Sequence, residues 1–65
     1  MDILINLTPL SLPAHSTVAD ALAQYKAIPP FAVAHNGDFL PRSQYHLTPL
    51  NAGDHLEIVQ AMAGG

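Results

Sequence analysis

The sequence predicts an α+β roll, with a single helix lying across one face of a small β-sheet. Three observations carry this expectation. Only "HSTVADALAQYK" places apolar residues at helical spacing, and runs alternating with period two recur on both sides of it. Asn36-Gly37 sits between two of those runs, where it reads as a two-residue hairpin turn. One helix cannot cover both faces of a sheet, so the opposite face is left to solvent or to a partner.

The elements follow in order. "DILINL" carries Ile3, Ile5 and Leu7 at alternate positions, a first strand with those three inward and Leu4 on the other face. "LTPLSLP" places a turn at Pro9 and a second alternation at Leu10 and Leu12, a hairpin closed by Pro13. In the helical stretch, Thr17 and Asp20 form a capping-box-like start, with Asp in place of the usual Glu and its charge favoured by the helix dipole. Val18, Ala21, Leu22 and Tyr25 make one buried face, and Lys26 suits the C-terminal end. Pro29 and Pro30 end the helix.

"FAVAH" alternates Phe31, Val33 and His35 with Ala32 and Ala34. After the Asn-Gly turn, "DFLP" is the returning strand, stopped by Pro41. "RSQYHLTPLNAGD" reads as polar and irregular, with turn chemistry at Thr48-Pro49 and at Ala52-Gly53-Asp54. "HLEIVQ" is a last strand, with Leu56 and Ile58 inward and Glu57 and Val59 outward. The order is β-β-α-β-β-β, one domain over residues 1–60 followed by a flexible tail over 61–65.

Composition narrows the function. A chain of 65 residues makes one domain, which buries only about 60% of the surface its unfolded chain exposes. No cysteine is present, which removes disulfides, thiolate catalysis and zinc–thiolate sites and favours a reducing cytoplasm. "MDILIN" has no basic leader, and no apolar run approaches the roughly 20 residues of a membrane span. Lys26 and Arg42 are the only fixed cations in a chain of net charge −3, too few to neutralise a nucleic-acid backbone. Hydrophobic residues make up 49% of the chain, so some apolar surface is expected to meet a partner.

The side chains offer little catalytic chemistry. His15, His35, His46 and His55 fall in different segments without metal-ligand spacing, so no metal site is expected. Asp38 and Asp54 follow Gly turns, where a short acid serves the turn, and Glu57 lies on a strand. Ser43 and His46 are three apart, but no orienting group or oxyanion hole accompanies them. No Gly-rich phosphate loop occurs. Arg42 reads either as a tie for the following loop or as a contact for an acidic partner.

The end of the chain reads differently. "QAMAGG" follows directly on a strand and has no bulky residue in its last three positions. Glycine lacks a Cβ, so Gly64-Gly65 could thread a narrow channel and present a carboxylate inside another protein. An ordinary α-carboxyl, with a pKa of about 3.5, is ionised at neutral pH and a poor electrophile. It could attack the α-phosphorus of ATP if a partner supplied nucleotide and metal.

"VAHNGDFLPRSQY" and "NAGDHLEIVQAMAGG" resemble the thiamine-biosynthesis sulfur carriers of the ThiS family, most closely from Val33 to Gly65. The resemblance implies the β-grasp, ubiquitin-like roll, a mixed sheet of four to five strands with the helix on one face. It implies a carrier rather than an enzyme. A ThiF-type adenylyltransferase would adenylate the Gly65 carboxylate with its own ATP and magnesium, so no cofactor is bound by this chain. A persulfide sulfur donor would convert the adenylate to a thiocarboxylate, and a ThiG-type thiazole synthase would consume the sulfur. Carried over by position, Gly65 is the sulfur-bearing residue, and Ala63 and Gly64 belong to the flexible tail. The family's docking surface is the sheet face away from the helix, where the strand phasing puts Leu4, Glu57 and Val59, with Phe39 and Met62 as further anchors. The free chain is expected to be a monomer.

The departures are a first hairpin rich in Leu and Pro, a short loop at Pro29-Pro30, and His35 before Asn-Gly in place of an aliphatic residue. Three alternatives share parts of this pattern: the small subunit of molybdopterin synthase, a ubiquitin-like protein modifier, and an interaction domain with an inert tail. Length and "VQAMAGG" favour the thiamine type over the molybdopterin type.

Overall fold

Alternate residues of neighbouring strands point the same way, and that period sorts the apolar side chains onto one side of the sheet. The structure is a computed structural model that describes residues 1–60. Its elements are β1 (Asp2–Ile5), β2 (Thr8–Ser11), α1 (Val18–Tyr25), β3 (Phe31–His35), β4 (Asp38–Leu40), a 3-10 helix (Arg42–Leu47) and β5 (His55–Gln60). The strands form one five-stranded sheet in the order β2-β1-β5-β3-β4. β1 and β5 run parallel at the centre, and all other neighbours are antiparallel. This is the mixed α+β roll that the sequence predicts.

Ile3, Ile5, Val33, Leu56 and Ile58 face the helix and are almost entirely buried. Val18, Ala21 and Leu22 meet them from α1, and Tyr25 packs at the margin. The helix begins as its sequence indicates. Thr17 Oγ1 accepts a hydrogen bond from the Asp20 amide, and Asp20 Oδ2 accepts one from the Thr17 amide at 2.8 Å. It ends at Lys26, which takes a left-handed conformation and donates its N–H to the carbonyls of Leu22 and Ala23.

The first hairpin differs from its expectation. The turn is at Asn6-Leu7, both with positive φ, and not at Pro9. Two such residues between paired strands give the turn whose twist matches the strands. Leu7 therefore leaves the Ile3–Ile5 alternation and stands 77% exposed. Pro9 lies within β2, the outermost strand, where a missing N–H is tolerated. Leu10 is half-buried and Leu12 buried, as the second alternation predicts.

The segment read as irregular also has structure. Residues Arg42–Leu47 form the 3-10 helix, and the Tyr45 ring stacks on Phe31 with centroids 6.3 Å apart. Leu50, to which the sequence reading gave no role, is buried in the core. The second hairpin is as expected, with Asn36 and Gly37 both at positive φ.

Asp54 ties the β3–β4 turn to the loop that leads into β5. Its Oδ2 accepts from the Asn51 amide and from His35 Nε2, both at 2.9 Å, and its Oδ1 accepts from Asn36 Nδ2 at 3.2 Å. Burial alone would push this carboxyl up. The hydrogen bonds from Asn51, His35 and Asn36, with the charge of His35, outweigh it and hold the group below the usual carboxylate range. A depressed folded-state pKa adds stability above the unfolded value, and that stability is lost as pH falls through the folded value. Asp54→Asn should lower stability at neutral pH by about 1 kcal/mol. In urea titrations the gap from the parent should persist to about pH 4 and close below it. A gap unchanged at lower pH would show that Asp54 ionisation contributes nothing.

Candidate functional site

The sheet face away from α1 is uncovered, and the strand register shows what it carries. Glu57 pairs with Ala34, and Ala34 with Phe39, so these three form a row across β5, β3 and β4. Val59 pairs with Ala32 in the next row towards the end of β5. Leu4 lies between Pro9 and His55 at the other end. Phe39 and Val59 are 71% and 66% exposed, Glu57 is exposed, and Leu4 is exposed to a lesser degree, at 37%. The structure thus brings Leu4, Phe39, Glu57 and Val59 onto one face, with Phe39 in the open and not in the core.

The spacing divides the four. Strand neighbours are about 4.8 Å apart and residues along a strand rise about 3.3 Å each, so Val59, Glu57 and Phe39 fall within one compact patch. Leu4 is level with His55, four residues back along β5 from Val59. The patch beside the end of β5 is apolar with one carboxylate, and Ala32 and Ala34 give it a flat floor. The alternation in "FAVAH" already marks both alanines as outward, but small residues give no anchor signal and were not assigned to the site. Met62, Ala63, Gly64 and Gly65 lie outside the described residues.

The strand that leads to those residues is held on both sides. Towards β3, the pairing runs to the end, with Phe31 opposite Gln60. Gln60 Nε2 donates to the Ile28 carbonyl at 2.9 Å. Towards β1, backbone pairing stops at Ile5 opposite Leu56, and the Asn6 side chain takes over. Its Oδ1 accepts from the Ile58 amide at 2.8 Å and its Nδ2 donates to the Ile58 carbonyl at 3.1 Å. The sequence reading missed Asn6. A polar residue next to a strand end, tolerant of positive φ, was the available signal.

Of the remaining candidates, His35 and Asp54 meet at 2.9 Å in the contact described above. Among the described residues no cluster of His, Asp and Glu could hold a metal ion. His15 and His46 are exposed, His35 binds Asp54, and His55 is half-buried on the open face with its Nε2 unpartnered. Ser43 is exposed on the 3-10 helix. Arg42 lines an apolar cleft of about 480 Å³ between the end of α1 and the 3-10 helix, on the side opposite the open face. No described helix is long and apolar enough to cross a membrane.

Comparison with known proteins agrees with this architecture. The ThiS family profile matches residues 3–65. A crystal structure of the thiamine biosynthesis protein ThiS from Geobacter metallireducens is similar over 100% of both chains, with a TM-score of 0.81 and 26% identity. A solution NMR structure of a thiamine biosynthesis protein from the same organism gives a TM-score of 0.76 at 26% identity, covering 100% of this chain and 88% of that one. No curated protein matches significantly. With its β-grasp roll and a family match across nearly its whole length, the chain belongs to the ThiS family.

Proposed function

We propose that this protein is a sulfur carrier for thiazole formation in thiamine biosynthesis, working through the carboxylate of Gly65. The observation that carries the reading is the ThiS family match running through Gly64 and Gly65. The similar structures, both of thiamine biosynthesis proteins, support the pathway over the molybdopterin and protein-modifier alternatives.

The chemistry needs no side chain of this chain. The Gly65 carboxylate attacks the α-phosphorus of ATP on a ThiF-type adenylyltransferase, and pyrophosphate leaves. The acyl-adenylate is electrophilic because AMP is a good leaving group. The terminal sulfur of a persulfide donor displaces AMP, and a thiol then releases the donor as a disulfide, leaving the thiocarboxylate. A ThiG-type thiazole synthase takes that sulfur. ATP and magnesium belong to the activating enzyme, and the carrier acts as substrate in a cytoplasmic setting.

Docking falls to the open face. Val59 and Phe39 offer apolar area, which binds by leaving water, and Glu57 adds a charge that selects a cationic counterpart. Val59 is the penultimate residue of β5, and this closeness in sequence to the tail supports the open face as the docking surface. Met62 is a further anchor in this reading, and Leu4 lies at its margin.

Deleting Gly65 should abolish ATP–pyrophosphate exchange by the activating enzyme while far-UV circular dichroism stays unchanged; undiminished exchange would remove the tail from the mechanism. After complete turnover with the sulfur donor, intact mass should rise by the difference between one sulfur and one oxygen. A ladder of larger conjugates would favour a protein modifier. Val59→Asp should weaken binding to the activating enzyme by about 1–3 kcal/mol in a calorimetric titration. Full affinity would exclude Val59 from the interface.

A further inference from the structure

We infer that Asn6 is a positioning residue for the carboxylate reaction, acting through the end of β5. The inference rests on the carrier reading above and adds a residue to it. β1 stops at Ile5 because the chain turns back at Asn6-Leu7, while β5 continues four residues beyond Leu56 to Gln60. In a parallel ladder alternate residues of β5, here Leu56 and Ile58, turn both N–H and carbonyl towards β1, and each needs an acceptor and a donor there. At Ile58 both come from one side chain: Asn6 Oδ1 accepts its N–H at 2.8 Å, and Asn6 Nδ2 donates to its carbonyl at 3.1 Å. The Asn6 backbone N–H also donates to the Leu56 carbonyl at 3.0 Å.

Residue 6 thus carries the ladder one step past the point where the strand itself has left. Three further features make the amide specific. Asn tolerates the positive φ of 48° that the turn imposes. Its planar amide presents donor and acceptor together, as a peptide group does. Ile58 is 6% exposed, so water is a poor substitute for either bond. With β3 pairing and the Gln60–Ile28 bond on the other side, the strand end is clamped from both edges. A clamped end keeps Val59 and Gln60 in a set position relative to Phe39 on β4. Losing the amide leaves the end of β5 held from the β3 side alone, so it shifts against Phe39 and the carboxylate reaches the α-phosphorus less often in each bound complex.

Asn6→Gly tests this directly, because glycine accepts the turn's positive φ and removes only the amide. Asn6→Asp keeps the acceptor for the Ile58 N–H and loses the donor. In Asn6→Gly, confirmed folded by near-native dispersion of its amide spectrum at 10 °C, hydrogen exchange at Ile58 should accelerate at least tenfold. With the ThiF-type activating enzyme, ATP and magnesium, kcat for pyrophosphate exchange should fall about tenfold while KM for the carrier stays within twofold. Asn6→Asp should lie between glycine and the parent in both measurements. A merely structural role would lower the melting temperature and leave kcat unchanged at 10 °C, which would overturn the inference, as would a rise in KM alone. Unchanged exchange at Ile58 would overturn it whatever the enzyme does. If the parent protein gave no pyrophosphate exchange, the carrier reading would fall, and hydrogen exchange would still decide whether Asn6 clamps the strand end.

Discussion

The parallel pairing of β1 with β5 is the contact on which the rest of the structure depends. Ile5 and Leu56 sit side by side in it, both with no solvent exposure. The chain segments are separated by some fifty positions, and closing so long a loop costs entropy that only burial at the centre of the core can offset. Once the pair forms, β5 becomes the middle strand, with the first hairpin on one side and the second on the other. A middle strand cannot lose its place without opening the whole sheet. The start of β5 is therefore fixed at the centre of the sheet, and its far end is held by β3 and by the Asn6 side chain.

The same pairing explains the division of labour between the two faces. Period two sends Leu56 and Ile58 into the helix-facing core and Glu57 and Val59 to the open side of one strand. The helix side holds nearly all of the large buried residues, which is as much core as a domain of this size can assemble. The open side keeps Phe39 and Val59 in water, where their exposure costs solubility. In the proposed role that cost is offset when a partner covers them. His55 has its unpartnered Nε2 on this same face. A buried nitrogen without a partner is unfavourable, and a docking surface is a place where such frustration is commonly held.

Much of this was legible in the sequence because the strongest local signals agreed with the tertiary outcome. Asn36-Gly37 could hardly serve another turn, Thr17 and Asp20 cap the helix as their types require, and "HLEIVQ" alternates cleanly. The first hairpin was misread because the Ile3–Ile5 alternation continues formally to Leu7, and Pro9 is a louder turn signal than Asn6-Leu7. Periodicity has no term for the end of a strand. What ended this one was Asn6, whose amide bonds to a residue fifty-two positions away. No local pattern reveals such a partner. The 3-10 helix was lost for a similar reason: "RSQYHL" has no strong propensity of its own, and Tyr45 gains its place by stacking on Phe31. Leu50 likewise stands alone among polar neighbours, without a periodic companion to mark it as core.

Asn6 and Leu7 also show how the fold accepts local strain for a distant end. A non-glycine residue at positive φ is uncommon, and here two stand in succession, one of them a leucine left in water. A glycine at either position would relieve the backbone. At position 6 it would also delete the amide that completes β5's pairing. A longer β1 would supply the same pairing from its backbone, but it would move the turn and carry Leu7 alongside β5. The short strand with a side-chain extension keeps Ile58 bonded and, among the described residues, leaves Gln60 without a partner strand on the β1 side. An edge left open beside a docking patch gives a partner main-chain groups to meet as well as side chains. The strain at the turn and the freedom at that edge are two consequences of ending β1 where it does.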